Sequence, residues 1–428
     1  MLKIIKNNIL YFAIMTIASL LLFVNYRFSN DIVSLMVTLS FCLYILGCKK
    51  QHLIASLVFL SLFFYLTTYN SINLSFLIIF TFILRSLTIN PKNISAIIVL
   101  IVSYFFTHVL STDIHHINIA LISSFFSMIC ILICSSIIKE EEISLVSVSY
   151  LYSFLIASLL GFFKNSTRLI EVFDSDEVLG LERYSGLSYD PNFYTMLSLV
   201  ALVIIIKWMR QEGGLFYFLI LSVTIALGML TLSKSFYLCV LVLLVYSVFS
   251  SQKKGQYILY FTILFLALMP LLISEITPLL DVMIQRFDSS QDFNELSTNR
   301  YDLWIMYMDY ISKGDMFQLI FGNGAVLPKE VEAAHNTYLE IIYKFGIIGF
   351  MMDSFIIVKS IKQIMKFTVN RIELFLFCGI MAILIFNLSC YTFFSFWSCL
   401  FVILIMPVEN KQNAVDKSAF WRVKFSRF

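Results

Sequence analysis

Imidazole is the side chain best suited to proton transfer near neutral pH, and one histidine in this sequence stands where such chemistry would be useful. Ala333-Ala334-His335-Asn336-Thr337-Tyr338-Leu339-Glu340 runs directly into an apolar stretch that continues to Lys359. His335 therefore falls in the first turn of a predicted helix. The partial positive charge of a helix N-terminus disfavours imidazolium and keeps the ring able to accept a proton. A lone histidine at a membrane boundary needs no chemistry, so its company decides.

Three other polar stretches supply that company. Arg183-Tyr184-Ser185-Gly186-Leu187-Ser188-Tyr189-Asp190-Pro191-Asn192 leads into an apolar run. Asp190 suits an N-cap and Pro191 the first helical position. A cap does not need Arg183, which either snorkels to water or binds a ligand. Ser233-Lys234-Ser235 lies between two apolar runs, where Lys234 is either a turn residue or an anion ligand. Arg300 opens a predicted helix over 299–312, with Leu303, Trp304, Tyr307, Met308 and Ile311 on one face; that pattern suits a helix lying on a membrane surface. Arg300 is either a solvated charge or a further ligand.

The elements that must position these residues follow from composition. The chain has 428 residues, 60% hydrophobic and only 13% charged, which excludes a soluble domain. Apolar runs at 9–24, 32–47, 53–69, 72–89, 94–110, 117–138, 143–162, 192–206, 215–232, 235–250, 256–273, 337–358, 371–387 and 389–406 predict an all-α, polytopic transmembrane helix bundle of about 12–14 spans. Met1 to Asn8 is basic but has no small-residue cleavage site after it, so the first run reads as an uncleaved span. The eight cysteines lie mainly inside apolar runs (Cys130, Cys134, Cys239, Cys378), which indicates neither a disulfide framework nor a zinc site. Asp113-Ile114-His115-His116 is the one ligand-like cluster, and it reads better as an interfacial loop than as a metal site.

With both termini inside, the inner loops collect Lys3, Lys6, Lys49, Lys50, Arg85, Lys92, Lys139, Lys207, Arg210, Lys253, Lys254, Lys359, Lys362, Lys366 and Arg371, and the tail adds Lys411, Lys417, Arg422, Lys424 and Arg427. That is most of the 30 basic residues, as the positive-inside rule requires. The expected organisation is then transmembrane helices over 1–162, further helices over 163–273 with an Arg-bearing outer segment 163–191, a large outer loop 274–334, C-terminal helices 335–406 and an inner tail 407–428.

In this topology the helices starting near Asp190, Ser235 and Asn336 all have their N-termini at the outer face. Helix N-termini beside Arg and Lys make anion sites, phosphates above all. A neutral histidine beside them suits attack by a hydroxyl on a carbon whose leaving group is a phosphate or pyrophosphate. Cations would stabilise the charge on the leaving group without a bound metal or cofactor. No P-loop and no dinucleotide fingerprint occurs.

Arg183 to Asn192, Ser233 to Ser235, Asn299 to Gly324 and Ala334 to Gly349 resemble, in order, the motifs of the O-antigen polymerase and ligase superfamily (the Wzy and WaaL types). The resemblance implies a periplasmic active site in the inner membrane and inverting, metal-independent glycosyl transfer from undecaprenyl-pyrophosphate-linked oligosaccharide. It implies Arg183, Arg300 and Lys234 as pyrophosphate ligands and His335 as base. Asp190, Asn192, Asn336, Tyr338 and Glu340 would support them. Donor and acceptor are both lipid-linked, with membrane lipid and a chain-length regulator protein as further partners and no nucleic acid. Lys234 departs from the more common arginine and loses its bidentate fork. Short spans and abundant Phe and Tyr look more like the divergent polymerases. Ligation to lipid A-core, transport by a flippase or permease, and a lipid-phosphate-sugar transferase of another fold are the alternatives; the charges cluster at one face and no internal repeat occurs, against transport.

Overall fold

The computed structural model describes residues 1–28, 31–69, 72–90, 136–163, 173–176, 181–187, 191–212, 215–231, 233–250, 300–323, 334 and 336–365, together with single positions at 94, 98, 129, 130, 133, 134, 255, 259 and 262. The long elements among these residues are helices. They are α1 (Leu2–Asn7), α2 (Ile9–Phe28), α3 (Asp31–Gly47), α4 (Lys50–Ser61), α5 (Ser75–Ile89), α6 (Glu140–Gly161), α7 (Pro191–Glu212), α8 (Leu215–Met229), α9 (Lys234–Ser250), α10 (Arg300–Lys313), α11 (Met316–Phe321) and α12 (Thr337–Met365). The expected all-α class needs one amendment. Two short antiparallel hairpins interrupt the helices, β1 (Thr68–Tyr69) with β2 (Ile72–Asn73) and β3 (Phe173–Asp176) with β4 (Leu181–Tyr184). A hydropathy pattern does not register strands this short.

α6 and α7 are long and apolar enough to cross a membrane, and shorter apolar helices cover 9–25, 32–47, 75–89 and 215–229. At 22 residues each, α6 and α7 extend about 33 Å, slightly more than a bilayer core of roughly 30 Å. Helix α6 starts where Glu142 accepts from the Lys139 amide at 3.1 Å, with Glu140 to Glu142 in the turn that favours negative charge.

The run 53–69 is not one span. α4 has 12 residues, about 18 Å, and is followed by a 3-10 turn at Phe64–Leu66 and the β1–β2 hairpin. Every residue from Leu53 to Leu60 is buried, Ser56 included. A helix apolar on all sides is equally compatible with lipid and with the middle of a bundle, and here α4 is packed against α6 and α2.

One core runs through the bundle, from Tyr11 and Phe12 in α2 through Tyr150 and Phe154 in α6 and Leu199 to Ile206 in α7, to Phe236 in α9 and Ile341 and Phe345 in α12. A second, smaller cluster of Tyr307, Ala334 and Tyr343 joins α10 to the other side of α12. The first turns of α12 are therefore held between the bundle and α10.

Candidate functional site

Two polar regions carry the residues singled out by the sequence. The first lies where α6 ends and α7 and α9 begin. Arg183 sits in β4 opposite Asp174 of β3. Its neighbour Tyr184 is fully buried, donates from its hydroxyl to the Ser158 carbonyl at 2.6 Å, and stacks on Phe162. Burial pushes the Tyr184 phenol well above its usual range, so it stays protonated and remains a donor. The Tyr184 amide donates to the Leu230 carbonyl at 3.0 Å. Gly186 follows with φ +59, its backbone against Gly161 and the Tyr194 ring. A β-carbon there would meet that ring.

α7 starts at Pro191, as the sequence predicts. Thr195 in its first turns donates to the Pro191 carbonyl at 2.9 Å and meets the Thr231 hydroxyl at 3.0 Å. Thr231 in turn donates to the Gly228 carbonyl at 2.6 Å and lies beside the Ser233 amide. The chain leading to Lys234, first residue of α9, is thereby fastened to the start of α7 and to the strand carrying Arg183. Asn192 is half-buried in the same first turn. Asp190 lies outside the described residues, and the side chains of Arg183 and Lys234 do as well.

The second region surrounds the start of α12. His335 itself lies outside the described residues, but its two neighbours do not. Asn336 is the N-cap: its Oδ1 accepts from the amides of Tyr338 (3.1 Å) and Leu339 (3.2 Å), and its carbonyl accepts from the Glu340 amide at 3.1 Å. The Ala334 carbonyl accepts from Trp304 Nε1 at 3.1 Å. By helical spacing Arg300, Trp304, Tyr307 and Ile311 share one face of α10. Tyr307 on that face is buried edge-to-face against Tyr343, with centroids 5.2 Å apart. The face expected to lie on the membrane packs on protein instead, because Ala334, Leu339 and Tyr343 offer it an apolar partner. Met308, expected with it, is exposed. This geometry sets Trp304, one turn after the half-buried Arg300, against the residue that precedes His335 in the chain.

Glu340 was the least explained of the sequence candidates, and the structure gives it an unusual setting. It is 0% exposed; Lys344, one turn on and 13% exposed, reaches its Oε2 at 2.6 Å. Its other oxygen, Oε1, has no hydrogen-bond partner. The Ala334 backbone also lies beside the carboxylate. Tyr338 is half-buried one turn before Ile341. Sequence reasoning missed Trp304 and Lys344 as partners in this region. The i,i+4 spacing of Glu340 and Lys344 is the signal that was available.

α12 is broken at Gly346, whose φ of +65 and ψ of −169 are not helical. Gly322, with φ +86, fits into the break: a β-carbon on Gly322 would collide with the Lys344 carbonyl, and one on Gly346 with the Ile320 carbonyl. The Tyr343 carbonyl accepts from the Asn323 amide at 2.8 Å and from Asn323 Nδ2 at 3.3 Å. The end of α11 and the residues Gly322 and Asn323 are thus pressed into a helix kink that the sequence did not disclose. Among the described residues no group of three or more His, Cys, Asp or Glu side chains could hold a metal ion. Asp113 to His116 lie outside them.

Residues 216–352 match the Wzy_C family, described as O-antigen ligase. The match takes in Lys234, Arg300, His335, Asn336, Tyr338 and Glu340, and leaves Arg183, Asp190 and Asn192 before it. No characterised protein and no solved structure matches the chain. The family consists of glycosyltransferase-like enzymes acting on lipid-linked oligosaccharides in membranes. The matched segment, about a third of the chain, is thus similar to the O-antigen ligase and polymerase superfamily, and α6 and α7, the two described helices long and apolar enough to cross a membrane, precede it.

Proposed function

We propose that the chain is a polysaccharide polymerase of the inner membrane, with both termini cytoplasmic and its site facing the periplasm. It transfers a growing glycan from undecaprenyl pyrophosphate to a hydroxyl of another lipid-linked repeat unit. The acceptor oxygen bonds to the anomeric carbon on the face opposite the leaving group. The bond from that carbon to the pyrophosphate oxygen breaks with its electron pair, and the configuration inverts. His335 takes the hydroxyl proton, and Arg183, Arg300 and Lys234 neutralise the departing pyrophosphate.

The observation that carries this reading is the Trp304 bond to the Ala334 carbonyl. It fastens the helix that begins with Arg300 to the residue before His335, so a cation and a base are supplied from either side of one joint. The N-capped start of α12 adds the positive end of a helix dipole just after His335 in the chain. A second reading, ligation of the glycan to lipid A-core, is favoured by the description of the matched family as O-antigen ligase. A chain-length regulator would be a partner only under the first.

The test is a lipopolysaccharide gel on a host lacking this chain, complemented with the natural sequence or with His335→Ala. A polymerase leaves core plus one repeat unit in the null, and only the natural chain restores the ladder. A ligase leaves bare core while lipid-linked polymer accumulates. A full ladder with His335→Ala would remove the histidine from the mechanism.

A further inference from the structure

The loop before α12 contains a segment with the polarity of a membrane rather than of a loop. Charge stops abruptly at Asp315, and no Asp, Glu, Lys or Arg occurs again until Lys329. The last charges before it are on the water side: Lys313 pairs with Asp309, both well exposed, and Asp315 caps α11 by accepting from the Gln318 amide at 2.8 Å. Immediately beyond, α11 presents Met316 and Phe317 to its surroundings, 76% and 64% exposed, with Leu319 beside them and Phe321 stacked on Phe317.

The place where α11 docks gives its depth. Gly322 is seated at the Gly346 break, about nine residues or roughly 14 Å along α12 from its capped start, at 1.5 Å per residue. That is close to half of a bilayer core of about 30 Å. Irregular backbone is tolerated at such depth only where its polar groups are met by protein. The Asn323 amide and side chain both meet the Tyr343 carbonyl. Past the break, Ile347, Met351 and Phe355 form an exposed apolar stripe at i, i+4 and i+8 on α12, and α11 packs against this same helix.

We propose that α11 and the Phe321–Asn323 turn form a re-entrant element in the outer leaflet, with Met316, Phe317 and Leu319 against lipid acyl chains. The loop over 274–334 is then not wholly aqueous: it enters the bilayer after Asp315. The inference rests on the membrane placement of α12 and not on the transfer reaction.

A photoreactive benzophenone amino acid tests it in the full chain, reconstituted in phosphatidylethanolamine and phosphatidylglycerol vesicles. It is placed in turn at Met316, Phe317 and, as the water-side control, Lys313. The expected result is lipid adducts at the first two positions at least about fivefold above those at Lys313, as for side chains facing hydrocarbon. Using two positions guards against one replacement disturbing the fold. Adducts at Met316 and Phe317 no higher than at Lys313, or cross-links from both to protein instead of lipid, overturn the proposal. Neither outcome depends on whether the chain polymerises, ligates or transports glycans.

Discussion

The buried hydroxyls of Tyr184, Tyr194, Ser158, Thr195 and Thr231 are engaged, whereas at Glu340 a buried carboxylate oxygen is not. At the first region Tyr184, Tyr194 and Ser158 form a closed chain of hydrogen bonds, and Thr195 and Thr231 form another. At the second, Glu340 Oε1 is the only carboxylate atom among the buried described side-chain atoms without a partner. An unmet buried acceptor costs on the order of 1–3 kcal/mol, and a region that carries such a cost next to a candidate base is where a bound hydroxyl would repay it. Under the proposed function the first region is scaffold and the second receives the acceptor.

The largest effect that could break this comparison comes from the glycine crossing. Gly346→Val places a branched side chain at positive φ against the Ile320 carbonyl. It is expected to destabilise by about 4 kcal/mol or more, seen as loss of the monodisperse peak in detergent. A folded, active Gly346→Val protein would show that the kink is not needed.

Next comes the ion pair. Lys344→Met leaves Glu340 buried without its cation and should cost about 3 kcal/mol in thermal unfolding, whereas Glu340→Leu combined with Lys344→Met should return close to the natural stability. The informative quantity is the ladder made by that double variant. If it is both stable and fully active, Oε1 does nothing beyond the pair; a stable but inactive protein supports a role in receiving substrate.

Trp304→Phe removes one hydrogen bond worth about 1 kcal/mol of stability, yet it releases the helix carrying Arg300. Polymer formation should therefore fall about tenfold, more than stability predicts, since misplacement of a charge at a reacting centre is costly. Tyr184→Phe loses a bond of similar worth, about 1 kcal/mol, but only in scaffold. Its melting temperature should drop slightly while activity per folded molecule stays unchanged. If Tyr184→Phe harms activity more than Trp304→Phe, the assignment of scaffold and receiving region is reversed.

Much of this was legible in the sequence, and what was not has physical reasons. Pro191 marks a helix start through its fixed φ, and that local signal survives in the fold; His335, expected in the first turn of its helix, instead precedes the Asn336 cap, because the Asn336 side chain takes the first free amides. The helix predicted over 299–312 is found at Arg300–Lys313. Its docking face was misread because aromatic and aliphatic periodicity identifies a buried stripe but not what buries it. The run 53–69 failed as a span for the same reason. The break at Gly346 left no trace because Phe345-Gly346-Ile347-Ile348-Gly349 is uniformly apolar, and the close approach that requires φ > 0 is made by Gly322, distant in sequence. The strand that holds Arg183 was too short for an alternation to show.

The hydrogen bond from the Tyr184 amide to the Leu230 carbonyl has a consequence for how cations are presented. It yokes the strand that ends next to Arg183 to the turn that ends next to Lys234, so neither backbone can shift without dragging the other. Under the proposed function the two cations are presented on backbones already tied together, and the ordering that binding an anion would otherwise need twice is needed once.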